Sequence, residues 1–350
     1  MMSDSLANLP SLLTEPSALS LGDAGYHLAF AKERDTDVRP LVTIAIPTFN
    51  RPHLLRETLE SVWSQEGFTD YDVIIVDNAS TAENVGAVLA LLRDAKRPVR
   101  YYVNDANMGV FRNWNRCLDL AQGQWVSILN DDDLLKPTFL RDMMREIDDA
   151  MQVDAMICRA ELLDQRAENV RTEEKATTLH ARIVSALRFR GRARIRLTPK
   201  RLFWANIAGS SLGSLYRRQA VMELGGFDPD EAPIADYVLN VRLAARGRFL
   251  QTHRQLAKVR LQVNETMNPD TLKGVLVRNF QLRSRLITEG LVPKRWSHWL
   301  RPLLAHELGA AMAHWHQSPS TQDVAHILSI APPNTKARWM YLTRILYGGV

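Results

Sequence analysis

Cysteine is nearly absent: the 350 residues hold two, Cys117 and Cys158, far apart in sequence and in no metal-binding spacing. A reduced, cytoplasmic protein is the expectation. Long apolar runs are missing too, and none approaches the ~18 residues needed to span a bilayer. Met1 to Pro10 lack a basic n-region and an apolar h-region, so no signal peptide is expected. No Gly-x-Gly-x-x-Gly follows the first apolar run, which argues against a dinucleotide-dependent dehydrogenase. A P-loop is absent, and so is a His-Glu-x-x-His pair. His314 and His316 stand two apart on an expected helix and point in different directions, as surface or core histidines do.

What remains is ordinary for a globular chain: 46% hydrophobic and 24% charged residues. The length suits one large domain with appendages, or two smaller domains sharing a cleft. The formal charge is +5, and it is uneven. Arg182, Arg188, Arg190, Arg192, Arg194, Arg196, Lys200 and Arg201 follow one another with no acid between them. Such a stretch is either a solvated surface loop or an attractor of phosphates on a lipid, a nucleotide or a nucleic acid.

The chain up to Arg39 shows no steady periodicity and reads as a loose extension with room for one short helix. From Leu41 the pattern changes. Leu41–Ile46, Asp72–Val76, Val99–Val103 and Trp125–Leu129 are short runs rich in β-branched and aromatic residues, the signature of buried parallel strands. Helical stripes lie between them, the first opened by Asn50 and Pro52 and the third stopped by Gly123. Strands alternating with helices predict an α/β fold with a mostly parallel sheet flanked by helices. Past residue 150 a strand at Met156–Cys158 and another at Ser210–Tyr216 continue the sheet in mixed direction. Residues 160–205 read as an insertion. A helix runs from about Ile234 to Arg246, and a helical C-terminal extension follows from 269 to 350. Its Trp296, Trp299, Trp315, Trp339, Tyr341 and Tyr347 are compatible with core packing, an oligomer interface or the surface of a membrane.

In open α/β sheets a ligand sits beyond the carboxyl ends of the strands. Here each strand runs into a polar loop: Pro47-Thr48-Phe49-Asn50-Arg51, Asp77-Asn78-Ala79-Ser80, Asn104 to Gly109, and Asn130-Asp131-Asp132-Asp133. A parallel sheet would crowd all of them onto one edge. Three consecutive carboxylates repel one another at low dielectric unless a cation or hydrogen bonds relieve them. Mg²⁺ or Mn²⁺ would suit, taking one or two carboxylates plus substrate phosphates. A solvated acidic turn capping the next helix is the other reading.

These loops, in this order, resemble the family 2 glycosyltransferases of the GT-A fold. The likeness runs from about Leu41 to Gly247, with an unmatched stretch inside the insertion. Val42 to Arg51 looks like the opening strand and nucleotide loop, Val76 to Ser80 like the loop that reads the base. Asn107-Met108-Gly109 with Asn113-Trp114-Asn115 is similar to the segment lining the donor, and Gly123 to Asp133 resembles the Asp-x-Asp metal region. The resemblance implies that Phe49 lies against the base and that Asp77 accepts from a uracil N–H. Pro47, Thr48, Asn50, Arg51, Asn107, Gly109 and Asn115 would surround the nucleotide-sugar. Asp132 would hold the metal, with Asp131 towards the sugar or ribose. Asn130 stands where many members carry the first Asp. Asp236, at the start of the acceptor-side helix, would be the general base, preceded by Ala235 where members usually carry Glu. Gln262 stands where many place a histidine.

The implied enzyme is a metal-dependent, inverting glycosyltransferase. Its donor would be a UDP-sugar, or less readily a dTDP-sugar, and its acceptor a hydroxyl of a glycan or lipid-linked glycan. No nucleic-acid partner is expected. Residues 41–268 would form the catalytic domain, divided near residue 135 into donor and acceptor halves. A cytoplasmic location is expected, with the inner face of a membrane left open. A nucleotidyltransferase and a non-catalytic nucleotide-sugar-binding module are the alternatives.

Overall fold

The computed structural model describes residues 12, 18–148, 152–164, 192–261 and 269–314. In chain order the elements are β1 (Tyr26–Lys32), β2 (Val42–Thr48), α1 (Pro52–Trp63), β3 (Tyr71–Asp77), α2 (Ala82–Leu92), β4 (Val99–Asn104), α3 (Val110–Leu120), β5 (Trp125–Ile128), β6 (Leu134–Leu135), α4 (Phe139–Asp148) and β7 (Ala155–Asp164). There follow β8 (Arg194–Arg196), α5 (Pro199–Trp204), β9 (Ser214–Arg217), α6 (Arg218–Glu223), α7 (Ala235–Ala245), β10 (Phe249–Leu261), α8 (Pro269–Thr288) and α9 (Leu300–His314).

The strands form one sheet in the order β1-β4-β3-β2-β5-β9-β7-β10-β6, with β8 paired to β10. The block β4-β3-β2-β5 is parallel throughout. β9 is antiparallel to both β5 and β7, and β10 returns to parallel pairing with β7. A mostly parallel sheet flanked by helices is therefore the architecture. Each inner strand is apolar on both sides because each face is covered. Ile44, Ile46, Val73 and Ile75 pack against Leu55 and Leu59 of α1, Val88 of α2 and Met143 of α4. Ala45, Ile74, Val76 and Val126 pack on the other face against Trp114 and Leu118 of α3, Val238 of α7, and Leu282 and Leu286 of α8. Gly123 allows β5 to draw close to β2, since a Cβ there would stand 2.5 Å from the Thr43 amide nitrogen.

The segment before Leu41 differs from its expectation. It contributes β1, antiparallel to β4 at the sheet edge, with a register shift between Leu28 and Phe30. Its side chains are mostly exposed. Backbone pairing with β4 holds it, and Ala29 and Phe30 are its residues that pack against the core, so its sequence carries no strong period. β7 also runs well past Cys158, and β8 and α5 lie inside the span read as an insertion. Residues 165–191 and 315–350 lie outside the described residues, and with them Trp315, Trp339, Tyr341, Tyr347, His316 and, from the basic stretch, Arg182, Arg188 and Arg190. Trp296 and Trp299 pack against Trp204, with ring centroids 4.9 and 5.6 Å away. Among the described residues no helix is long and apolar enough to cross a membrane.

Candidate functional site

Parallel pairing brings the carboxyl ends of β2, β3, β4 and β5 to one edge, and hydrogen bonds tie their loops together. Thr48 Oγ1 donates to Asp131 Oδ2 at 2.7 Å, joining the β2 loop to the β5 loop. Asn50 adopts φ +56°, a left-handed conformation that asparagine tolerates better than most residues. Its amide donates to Ser80 Oγ at 2.8 Å, and its Oδ1 accepts from the Thr81 amide and from Asn84 Nδ2, both at 2.9 Å. The β2 and β3 loops are thereby locked. Between these ties the Phe49 ring stands out, 41% exposed, at the edge where a flat ligand could lie on it. Pro47 is buried within β2.

The acidic loop after β5 is held from beneath. Asp133 Oδ1 accepts from the Arg260 amide at 3.0 Å, and Oδ2 accepts from Asn130 Nδ2 at 3.1 Å. Thr58 Oγ1 donates to the Asp133 carbonyl at 2.9 Å. Arg260 on β10 also donates through Nε to the Asp132 carbonyl at 2.9 Å and through Nη2 to Glu57 at 2.6 Å. Asp133 thus supports the loop, while Arg51 Nη1 reaches the Asp131 and Asp132 carboxylates at 3.6 and 3.3 Å.

The charge is only partly relieved. Burial pushes the Asp131 carboxyl up to about 6, and the neighbouring Asp132 charge adds to that. Asp133 is pushed up to about 7, again by burial first and by Asp132 second. A divalent cation fits such a donor set: Asp132 and the Asp131 oxygen facing Arg51 are hard ligands at the loop's open side. Among the described residues no group of three or more His, Cys, Asp or Glu side chains is arranged to hold a metal unaided. Substrate phosphates and water would have to complete the shell, as they commonly do for Mg²⁺. Gln262 lies outside the described residues.

Asp236 sits in the first turn of α7, two residues beyond the N-cap Ile234, which makes no side-chain cap. It is half-buried. Burial pushes its carboxyl up to about 6, while the amides of Tyr237 and Asp236 itself pull it back. Its charge is felt by the Tyr216 hydroxyl. Tyr216 is the β9 partner of Val126 on β5. Asp236 is therefore close to the Tyr216 side chain, on the strand that adjoins β5.

Two expected ligand contacts are placed differently. Asp77 is 1% exposed. One of its oxygens accepts from the Ser80 amide and the other from the Tyr101 hydroxyl, each at 2.7 Å. It shapes its loop from below rather than facing the cleft. Asn115 is fully buried on α3. Its Oδ1 accepts from the Phe227 amide at 2.8 Å, and its Nδ2 donates to the Phe227 carbonyl at 2.8 Å and the Ser20 carbonyl at 3.0 Å. It braces the Gly225-Gly226-Phe227-Asp228 turn that leads to α7. Gly226 is needed there, because its φ is +69° and a Cβ would stand 2.4 Å from Asn115 Oδ1. Asn107 and Gly109 remain exposed at the edge, with Asn107 Oδ1 accepting from the Gly109 amide and from Asn78 Nδ2, both at 2.9 Å.

Asn115→Ala is expected to lower unfolding stability by about 2–4 kcal/mol, because each buried group left unpaired costs about 1–3 kcal/mol. Urea denaturation measures it. Unchanged stability together with lost donor binding would return Asn115 to the ligand's side.

Arg260, Glu57, Thr58 and Tyr101 are parts of the site that sequence reasoning does not single out as such. Arg260 lies far from Asp132 along the chain, and only the pairing of β10 brings it there.

Comparison with known proteins bears on this arrangement. The family model described as glycosyl transferase family 2 matches residues 43–225. An uncharacterized protein of Mycobacterium tuberculosis is 25% identical over 280 residues, which are 79% of this chain and 81% of that protein. Among solved structures, TarS of S. aureus in complex with UDP-GlcNAc superposes with a TM-score of 0.52 at 17% identity, covering 87% of this chain and 89% of that one. The mannosyltransferase PcManGT of Pyrobaculum calidifontis, in complex with GDP-Man and Mn²⁺, gives a TM-score of 0.54 at 18% identity, covering 99% and 90%. At those identities the likeness is one of fold.

Proposed function

The chain belongs to glycosyl transferase family 2, and from that premise we propose that it transfers a sugar, with inversion, from a UDP-sugar to an acceptor hydroxyl of a glycan or lipid-linked glycan. The enzyme is a glycosyltransferase of GT-A type; the donor, the metal and the roles of individual residues are our reading. Residues 41–268 form its catalytic domain, with the donor half ending near residue 135.

One observation carries this reading: the tie of Thr48 to Asp131, with Arg51 reaching both Asp131 and Asp132, gathers the nucleotide loop and the acidic loop into one site. Phe49 offers its ring to the base. Asn50 and Asp77 hold the two loops that flank it, and Asn107 and Gly109 close the far side. Asp132 would hold a divalent cation, with Asp131 beside it. When bound, that cation supplies positive charge to the leaving diphosphate. Asp236 takes the proton from the acceptor hydroxyl as its oxygen attacks the anomeric carbon, and the bond to the diphosphate breaks on the opposite face. The UDP-GlcNAc complex of TarS supports a UDP donor, and the Mn²⁺ complex of PcManGT supports a divalent metal. Synthesis of a surface polysaccharide or glycan is the setting we favour.

The test is nucleotide release from a panel of UDP-, dTDP- and GDP-sugars, with and without Mn²⁺. Release from a UDP-sugar that requires Mn²⁺ is expected. Release only from GDP-sugars, or equal release in the presence of a chelator, would refute the donor or the metal assignment respectively.

A further inference from the structure

The Arg51 guanidinium occupies an unusual place for a loop residue. Its Nη1 lies 3.6 Å from Asp131 Oδ1 and 3.3 Å from Asp132 Oδ2, within ion-pair range of both carboxylates at once. The two acids are nearly buried, with side-chain exposures of 8% and 10%, whereas Arg51 is 35% exposed. The other charged groups of this loop are engaged below it: Asp133 with the Arg260 amide and Asn130, and Arg260 with Glu57. The second Asp131 oxygen is taken by Thr48.

Two adjacent buried carboxylates need positive charge nearby. The chain supplies some of its own through Arg51. The contact is loose: neither distance is that of a tight charge-assisted hydrogen bond, about 2.7–2.9 Å. The backbone beneath it is fixed, with Arg51 as N-cap of α1 and Pro52 following. A long side chain on a fixed backbone, half in solvent, can swing without disturbing its loop.

We propose that Arg51 is the resident counter-cation of the Asp131–Asp132 pair, and that it yields this place to the divalent ion and turns to the diphosphate that arrives with the donor. The inference rests on the metal reading of Asp132 given above. A guanidinium and a divalent ion repel each other over the same two carboxylates, so Arg51 leaves at little cost only when an anion receives it. Its planar fork suits phosphate oxygens. Metal and nucleotide therefore bind cooperatively, and by linkage each strengthens the other by the same factor.

Manganese titration followed by electron paramagnetic resonance, with and without UDP, tests this on the whole 350-residue chain. The wild type is expected to bind Mn²⁺ weakly alone and at least about tenfold more tightly with UDP, within the range usual for such coupling. Arg51→Gln should bind Mn²⁺ alone at least about tenfold more tightly than the wild type and lose most of the UDP effect. Arg51→Lys keeps the charge and should retain weak Mn²⁺ binding in the absence of UDP. Should Arg51→Gln bind Mn²⁺ no more tightly than the wild type, while both show UDP-dependent binding, Arg51 is no counter-cation and the metal assignment stands. If neither protein binds Mn²⁺ even with UDP, the metal assignment falls and this inference with it.

Discussion

Asp236→Asn is expected to lower sugar transfer by about 10²–10⁴-fold, the usual contribution of a general base, while leaving donor affinity unchanged. The amide keeps the carboxylate's size and one acceptor oxygen, but it cannot take a proton. In the wild type, burial lifts the Asp236 carboxyl to about 6. Near neutral pH it is then mostly ionised and still basic enough to act, which is where a catalytic base is most effective. Transfer by the wild type should therefore fall as the pH drops through about 6, and the residual rate of the variant should lack that acid limb.

The same shift separates loss of chemistry from loss of fold. A carboxyl whose folded pKa is raised favours the native state at low pH, and this contribution is lost as the pH rises through the folded value. At pH 8 the ionised Asp236 is a net cost to folding, and asparagine removes it. The variant should melt no lower than the wild type at that pH. Normal turnover by Asp236→Asn would show that the base lies elsewhere, whatever the melting temperature.

The sequence and the structure agree where local chemistry decides. β2, β3, β4 and β5 are covered on both faces, so each is a run of apolar, mostly β-branched residues that needs no context to be read. Their loops are polar because they emerge at a solvated edge, and that made the site legible before its geometry was known. Where a residue's partner is distant along the chain, the sequence is silent. Asn115 bonds to Phe227, 112 residues away, and nothing local distinguishes a buried brace from a ligand contact. The Arg260 guanidinium reaches Asp132 across 128 residues. Its strand, β10, mixes Gln, Thr, His, Arg and Lys with apolar residues and shows no clear period. Asp77 carries the right chemistry for reading a base, but Tyr101 on the adjoining strand and the turn to Ser80 use both of its oxygens. An acid that builds a loop and an acid that faces a ligand look alike in one dimension.

Asp132→Ala carries the other large expected effect: loss of the Mn²⁺-dependent part of donor affinity, and transfer reduced by about three orders of magnitude. That figure follows from several kcal/mol of charge stabilisation, at about 1.4 kcal/mol for each tenfold in rate. The loop should survive the substitution. Arg260 Nε holds the carbonyl of residue 132, not its side chain, and Asp133 keeps the Arg260 amide and Asn130. Removing the Asp132 charge also removes one of the causes that lift Asp131 to about 6 and Asp133 to about 7. In the wild type, protons compete for the Asp131 carboxylate, so Mn²⁺-dependent UDP binding should weaken as the pH falls through about 6. Calorimetric titration of UDP with and without Mn²⁺ around that pH follows both effects. If Asp132→Ala keeps the Mn²⁺-dependent increment while its fold is intact, Asp132 is not the metal ligand.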